Sequence, residues 1–151
     1  MEIRRAEKRD LNGINTLLSE VLEIHHNGRR DLFKSGTKKY TDEELIAIIE
    51  DEKRPIFVAV ENDTVLGYVF CIFTETKDNN ILIDRKTLYI DDLCVLKEKR
   101  GCRIGKTLYE YAKSFATENG FYNLTLNVWS FNEDALLFYQ KMGMTPQKTV
   151  M

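Results

Sequence analysis

At 151 residues, the chain has the usual length of one domain and enough material for one substantial core. Its 30% charged residues, 43% hydrophobic residues and net charge of -2 give no general reason to expect binding to nucleic acid. No apolar run nears the ~20 residues that a membrane helix needs. The opening Met1-Glu2-Ile3-Arg4-Arg5 lacks a signal-peptide pattern. Cys71, Cys94 and Cys102 have no CxxC spacing and fit a reduced, cytoplasmic setting.

Residues 2–5 predict a first strand. Leu11, Ile14, Leu18, Val21 and Leu22 recur at helical spacing and predict an amphipathic helix over about 9–24. The polar stretch 25–40, with Gly28 and Gly36, is expected to cover or border a site. Its His25-His26 pair diverges on a helix and has no HExxH companion, so exposed side chains or a site rim are expected there, and no metal. Thr41-Asp42-Glu43-Glu44 has the capping-box pattern, and a helix through Ile49 follows.

Residues 55–60 and 65–73 predict an antiparallel hairpin around the turn Glu61-Asn62-Asp63-Thr64, and 87–95 a third long strand. Ile104, Leu108, Tyr111, Ala112 and Phe115 mark a helix that Gly120 ends. Residues 124–129 predict another strand, with Trp129 at its end packing in the core or, as the second option, lining the acceptor cleft. Residues 132–142 predict a last helix, with Glu133 and Asp134 at its positive end and Gly143 at its stop. The short tail is a candidate final strand. No repeat or linker interrupts the chain, so residues 1–151 read as a single domain. Antiparallel strands followed by a βαβ crossover predict an α/β (α+β) mixed, mostly antiparallel sheet with helices on both faces.

The segment 97–106 concentrates Lys97, Lys99, Arg100, Arg103 and Lys106 against one acid, Glu98, in a weakly acidic chain. Gly101 and Gly105 lead into a helix whose first amides lack partners and whose dipole favours an anion. A Walker loop is excluded by spacing, because three residues and not four separate Gly101 from Gly105-Lys106-Thr107. No GxGxxG is present. Seen alone, the loop is equally compatible with a solvated basic turn.

The run Asp91-Asp92-Leu93-Cys94-Val95, followed by Lys99-Arg100-Gly101-x-x-Ile104-Gly105-Lys106, resembles the acetyl-CoA signature Arg/Gln-x-x-Gly-x-Gly/Ala of the Gcn5-related N-acetyltransferase (GNAT) family. The departure is Arg103, which stands where the family usually has a glycine. A second block, Asn132-x-x-Ala135-x-x-Phe138-Tyr139-x-x-x-Gly143-Met144, resembles the family's Asn…Phe-Tyr…Gly-Phe pattern. The resemblance implies the acyl-CoA N-acyltransferase fold and transfer of acetyl from acetyl-CoA, as co-substrate, to an amine. It implies that Leu93, Cys94 and Val95 pair with the pantetheine arm and that Arg100, Gly101, Cys102, Arg103, Ile104, Gly105 and Lys106 hold the pyrophosphate. Asn132 would then lie near the pantetheine, Tyr139 near the thioester sulfur, and a homodimer becomes plausible.

The chemistry adds its own demands. A primary amine of pKa ~10.4 must lose a proton before it attacks, and a leaving thiolate of pKa ~8.5 must gain one. Tyr139 suits the second task. Asp91, Asp92 and Glu75 are candidates for the first. Asp91 is favoured over Asp92 because the family's polyamine acetylators place an acid at the position it matches. The two aspartates are neighbours in a strand, so they face one site only if a bulge intervenes. Cys94 and Cys102 have no histidine near them in sequence and read as packing and loop residues. Acids at the acceptor site suit cationic amines: small polyamine-like or aminoglycoside-like molecules, or protein amines. The alternative is a non-catalytic acyl-CoA-binding or regulatory module on the same fold, which needs neither Tyr139 nor the strand acids.

Overall fold

Five strands and four helices carry the chain in the computed structural model, which describes residues 1–151. They are β1 (Glu2–Arg5), α1 (Leu11–Gly28), α2 (Asp42–Glu50), β2 (Ile56–Glu61), β3 (Thr64–Thr76), β4 (Arg85–Val95), α3 (Ile104–Glu118), β5 (Asn123–Leu126) and α4 (Glu133–Lys141). The strands lie in sequence order, antiparallel from β1 to β4, and β5 joins parallel to β4. This is the mixed sheet expected, and the β4–α3–β5 crossover explains the one parallel pair, since parallel neighbours need a long connection.

Alternating side chains divide the core into two layers. Val58, Tyr68, Phe70 and Cys94 pack with Ile14, Leu17 and Leu18 of α1 and with Leu45, Ile48 and Ile49 of α2. Val69, Cys71, Leu88, Ile90 and Val95 pack on the other face with Ile104, Leu108, Tyr109 and Ala112 of α3. Each such buried aliphatic side chain contributes roughly 1.5–3 kcal/mol of transfer free energy, so the α1 and α3 stripes hold the helices to the sheet.

Local chemistry sets the boundaries. Thr41 Oγ1 accepts from the Glu44 amide at 3.1 Å and Glu44 Oε1 accepts from the Thr41 amide at 3.0 Å, so the expected capping box is formed. Asn62 and Asp63 both take positive φ (50° and 62°), the conformation a two-residue hairpin turn requires. The β3–β4 hairpin is longer than the apolar pattern suggested, because residues 74–76 and 85–87 pair beyond the core.

Three expectations are corrected. The first helix runs on through His25 and His26 to Gly28, and both rings are half-buried. His25 packs against Phe33 and Phe131, and His26 Nδ1 lies 2.8 Å from the Phe33 carbonyl oxygen. The fifth strand ends at Leu126, so Trp129 stands outside it. The indole is 41% exposed and packs edge-on against Phe33 at 5.4 Å, away from the core. Residues 145–151 form no strand.

The buried polar group of the core is Asp10, held by Arg4 through Nη1 at 2.7 Å and Nη2 at 3.0 Å and by the Glu7 amide at 2.8 Å. Burial alone would raise its pKa, but the Arg4 bond and the Glu7 amide outweigh burial and hold the carboxyl below its ordinary value. The stabilisation is complete above the usual carboxylate range and fades as pH falls through the lowered pKa. Arg4→Met leaves this carboxylate buried without its cation and should cost about 3 kcal/mol. A shift of the urea midpoint at neutral pH measures the loss.

Candidate functional site

The site begins with a bulge. Phe70 lies opposite Asp92, whereas Cys71 lies opposite Ile90, so Asp91 is an extra residue in β4. Strict alternation would send Asp91 and Asp92 to opposite faces, and the extra residue brings both to the α1/α2 face. There the Tyr68 hydroxyl donates to Asp92 Oδ2 at 2.6 Å, and Lys39 Nζ approaches Asp91 Oδ2 at 3.3 Å. Burial raises the pKa of Asp92, and the Tyr68 hydrogen bond and the Lys39 charge only partly oppose it. The third acidic candidate, Glu75, occupies an exposed position opposite Lys86 on the outer arm of the hairpin.

At the same point the sheet opens. β5 pairs with Thr87–Ile90 and stops at Leu126, so no strand covers residues 91–95 of β4 on that edge. Leu93, Cys94 and Val95 therefore offer backbone to an extended ligand, which can add itself as a strand would. Cys94 and Cys71 are buried, and burial pushes both thiols up to about 12. A thiol at that pKa carries almost no thiolate at neutral pH, so neither is a nucleophile. Cys102 is exposed in the following loop.

The loop and the start of α3 form a donor cradle. The amides of Gly101, Arg103, Ile104, Gly105 and Lys106 donate to no group within the chain, and no side chain caps α3. Gly101 takes φ +88° and Arg103 takes φ +62°, ψ 14°. A left-handed residue at 103 is what a glycine there would provide most easily, and Arg103 adopts it at a cost of roughly 1 kcal/mol. The backbone needed for the turn is thus kept in spite of the side chain. Arg103→Gly should stabilise the fold by up to about 1 kcal/mol, less the extra entropy glycine adds to the unfolded chain. Denaturant midpoints of the two proteins measure the difference.

Arg100 Nε donates to the Val95 carbonyl at 3.2 Å, which ties the loop to the end of β4. Glu20 on α1 approaches Arg100 at 4.0 Å, and its Oε2 is buried without a hydrogen-bond partner. Open amides at a helix N-terminus, with Arg100, Arg103 and Lys106 nearby, fit a diphosphate. The free edge of β4 and the orphaned Glu20 oxygen fit an amide-bearing arm beside it.

α4 completes the enclosure. Asn132 caps it by accepting from the Ala135 amide at 3.2 Å, so its side-chain oxygen is engaged within the helix start. Phe138 lies against Gly105, where an added Cβ would sit 3.3 Å from the ring, so this glycine lets α4 approach the cradle. The neighbouring Tyr139 is half-buried, and its hydroxyl takes part in no hydrogen bond of the fold. Burial raises its pKa well above the ordinary value, and the negative charge of Asp92 adds to this. The phenol therefore keeps its proton at neutral pH, close to both the acids and the open edge of β4.

Lys39, Tyr40, Tyr68 and Glu20 were not singled out from the sequence. Tyr40 stacks on Phe70 at 6.2 Å with 17° between the rings. The segment 25–40 reaches Asp91 through Lys39 and lies on Phe70 through Tyr40. The loop after β5 packs against the same region through Trp129, Phe131 and His25. Burial and the charge of Lys39 lower the pKa of His25.

The acetyltransferase (GNAT) family model matches residues 20–144. YhfO of Bacillus subtilis strain 168, an uncharacterized N-acetyltransferase, is 29% identical over 144 residues, which are 95% of this chain and 89% of that protein. A crystal structure of a mutant of the BH1408 protein from Bacillus halodurans aligns with a TM-score of 0.96 at 31% identity, covering 100% of this chain and 97% of that one. An aminoglycoside N-acetyltransferase crystallised with CoA shares the fold at a TM-score of 0.74 and 15% identity, over 99% of this chain and 96% of that one. With its mixed sheet, its opening between β4 and β5 and its glycine-bearing turn into α3, the chain belongs to the GNAT family of acetyltransferases.

Proposed function

We propose that the chain transfers acetyl from acetyl-CoA to a cationic primary amine by direct attack on the thioester. The diphosphate lies on the amides of 101–106 with Arg100, Arg103 and Lys106 around it, and the pantetheine runs along Leu93–Val95. Asp91 attracts the ammonium of the acceptor. Asp92, the more deeply buried of the two, takes the place of the Asp91 favoured from the sequence and accepts the proton, and the neutral nitrogen forms the new bond to the acetyl carbon. The carbon–sulfur bond breaks, Tyr139 donates its proton to the departing sulfur, and the second proton of the acylated nitrogen returns to the phenolate, so that the products are the amide, the CoA thiol and the proton held by Asp92. The observation that carries this reading is the bulge at Asp91, which brings two carboxylates to one face where β4 separates from β5. A non-catalytic binding module gains nothing from that expense of buried charge.

Two measurements test the proposal. Acetyl-CoA should raise the melting temperature where ATP and NAD do not. Thiol release should then appear with primary alkylammonium acceptors, whether small polyamines or peptides bearing lysine. Stabilisation by ATP alone, or no thiol release with any amine, contradicts it.

A further inference from the structure

Asp91 already holds an alkylammonium that belongs to the chain itself. Lys39 reaches in from the segment between α1 and α2, with Nζ 3.3 Å from Asp91 Oδ2 and 5.4 Å from the centroid of the Tyr40 ring. Tyr40 is fixed by its stacking on Phe70, and Asp92 by the hydroxyl of Tyr68. A carboxylate in contact, the charge of a second behind it and an aromatic face beside a primary ammonium are the chemistry by which a cationic amine would be recognised. Burial alone would lower the pKa of Lys39, but Asp91, Tyr40 and Asp92 outweigh it, so the group stays charged.

We infer that Lys39 is a tethered stand-in for the acceptor, occupying the place of its ammonium until a primary alkylammonium substrate displaces it. This inference rests on the acceptor site proposed above. The geometry makes displacement feasible. The Lys39 side chain is 41% exposed, and it rises from a segment that is neither helix nor strand. A part-exposed ion pair of this kind is worth little, so it is strong enough to keep the carboxylates matched and weak enough to yield to a substrate. Lys39 thereby sets an affinity threshold that an incoming cation must exceed.

Two experiments on the intact chain test this. First, KM for a primary alkylamine is measured at saturating acetyl-CoA in the wild type, Lys39→Gln and Lys39→Arg. Removing the competitor should lower KM roughly two- to five-fold, and Arg, which keeps a cation opposite Asp91, should hold it near the wild-type value. Combining Lys39→Gln with Asp91→Asn should abolish the gain. Second, labelling of Lys39 by acetic anhydride is followed by mass spectrometry while an alkylguanidinium, a cation that cannot accept acetyl, is titrated in. Displacement predicts that labelling rises with the guanidinium and does not respond to the matching uncharged alcohol. An unchanged or raised KM in Lys39→Gln, or labelling that stays flat or falls, overturns the inference. The labelling needs no turnover, so it decides the displacement even if no amine supports thiol release, a result that would instead overturn the transfer reaction.

Discussion

Replacing Tyr139 by Phe should slow acetyl transfer about 100-fold, at the lower end of what a positioned general acid contributes. The hydroxyl takes part in no hydrogen bond within the fold, so its removal leaves no partner unsatisfied. The melting temperature should therefore stay where it is, and acetyl-CoA affinity should change little, because the cradle is made of backbone amides at 101–106. The loss should fall on kcat, since the donated bond is needed only when sulfur begins to carry charge. Poorer leaving groups should suffer more from the substitution than better ones. Steady-state thiol release and a calorimetric titration with acetyl-CoA separate the two quantities, and a Phe variant of full activity removes Tyr139 from the reaction.

The second large effect is expected at Asp92. Asp92→Asn keeps the shape and removes the acceptor for the amine proton, and should also cost about 100-fold or more in kcat/KM. Its pH dependence carries the diagnosis. Burial raises the Asp92 pKa, and a protonated carboxyl cannot accept a proton. Activity of the wild type should therefore climb with pH through that raised value, on top of the ordinary deprotonation of the amine. In Asp92→Asn the carboxyl limb disappears and only the amine limb remains. Asp91→Asn should behave differently, mainly raising KM for cationic acceptors, because Asp91 meets the ammonium through charge. If the asparagine at 92 leaves the pH profile unaltered and the loss is instead found at 91, the two roles are exchanged.

Much of the architecture could be read from the residues because its signals are local. The capping box at Thr41–Glu44, the turn at Asn62-Asp63 and the 3.6-residue stripe of α3 each depend on neighbours within a few positions, and each formed as expected. The loop at 100–106 was legible for the same reason, and even the departure at Arg103 resolved locally through its left-handed backbone. What escaped was set by register. Whether Asp91 and Asp92 share a face depends on how β4 aligns with β3, which is fixed by the packing of Phe70, Cys71 and Ile90 between two layers rather than by the acids themselves.

Tertiary packing likewise carried α1 past Leu22. His25 and His26 look polar in sequence, yet they find Phe33 and Phe131 in space, and the helix continues beneath them. Trp129 read as core because it ends an apolar run. The strand stops at Leu126, where its pairing with β4 ends, and the indole turns to the aromatic group at the rim of the site. Lys39 and Tyr40 had no periodic signal at all. Their role follows from a segment folding back over β4, which leaves no trace in the spacing of residues.

The most direct measurement is a titration of the ¹⁵N-labelled protein with CoA, followed amide by amide. Binding on the open backbone predicts that the largest shifts fall at Gly101 and Arg103–Lys106, with a second group at Leu93–Val95, while α2 and the outer arm of the β3–β4 hairpin stay still. Shifts centred elsewhere, or none at millimolar CoA, would contradict the cradle and with it the path assigned to the thioester.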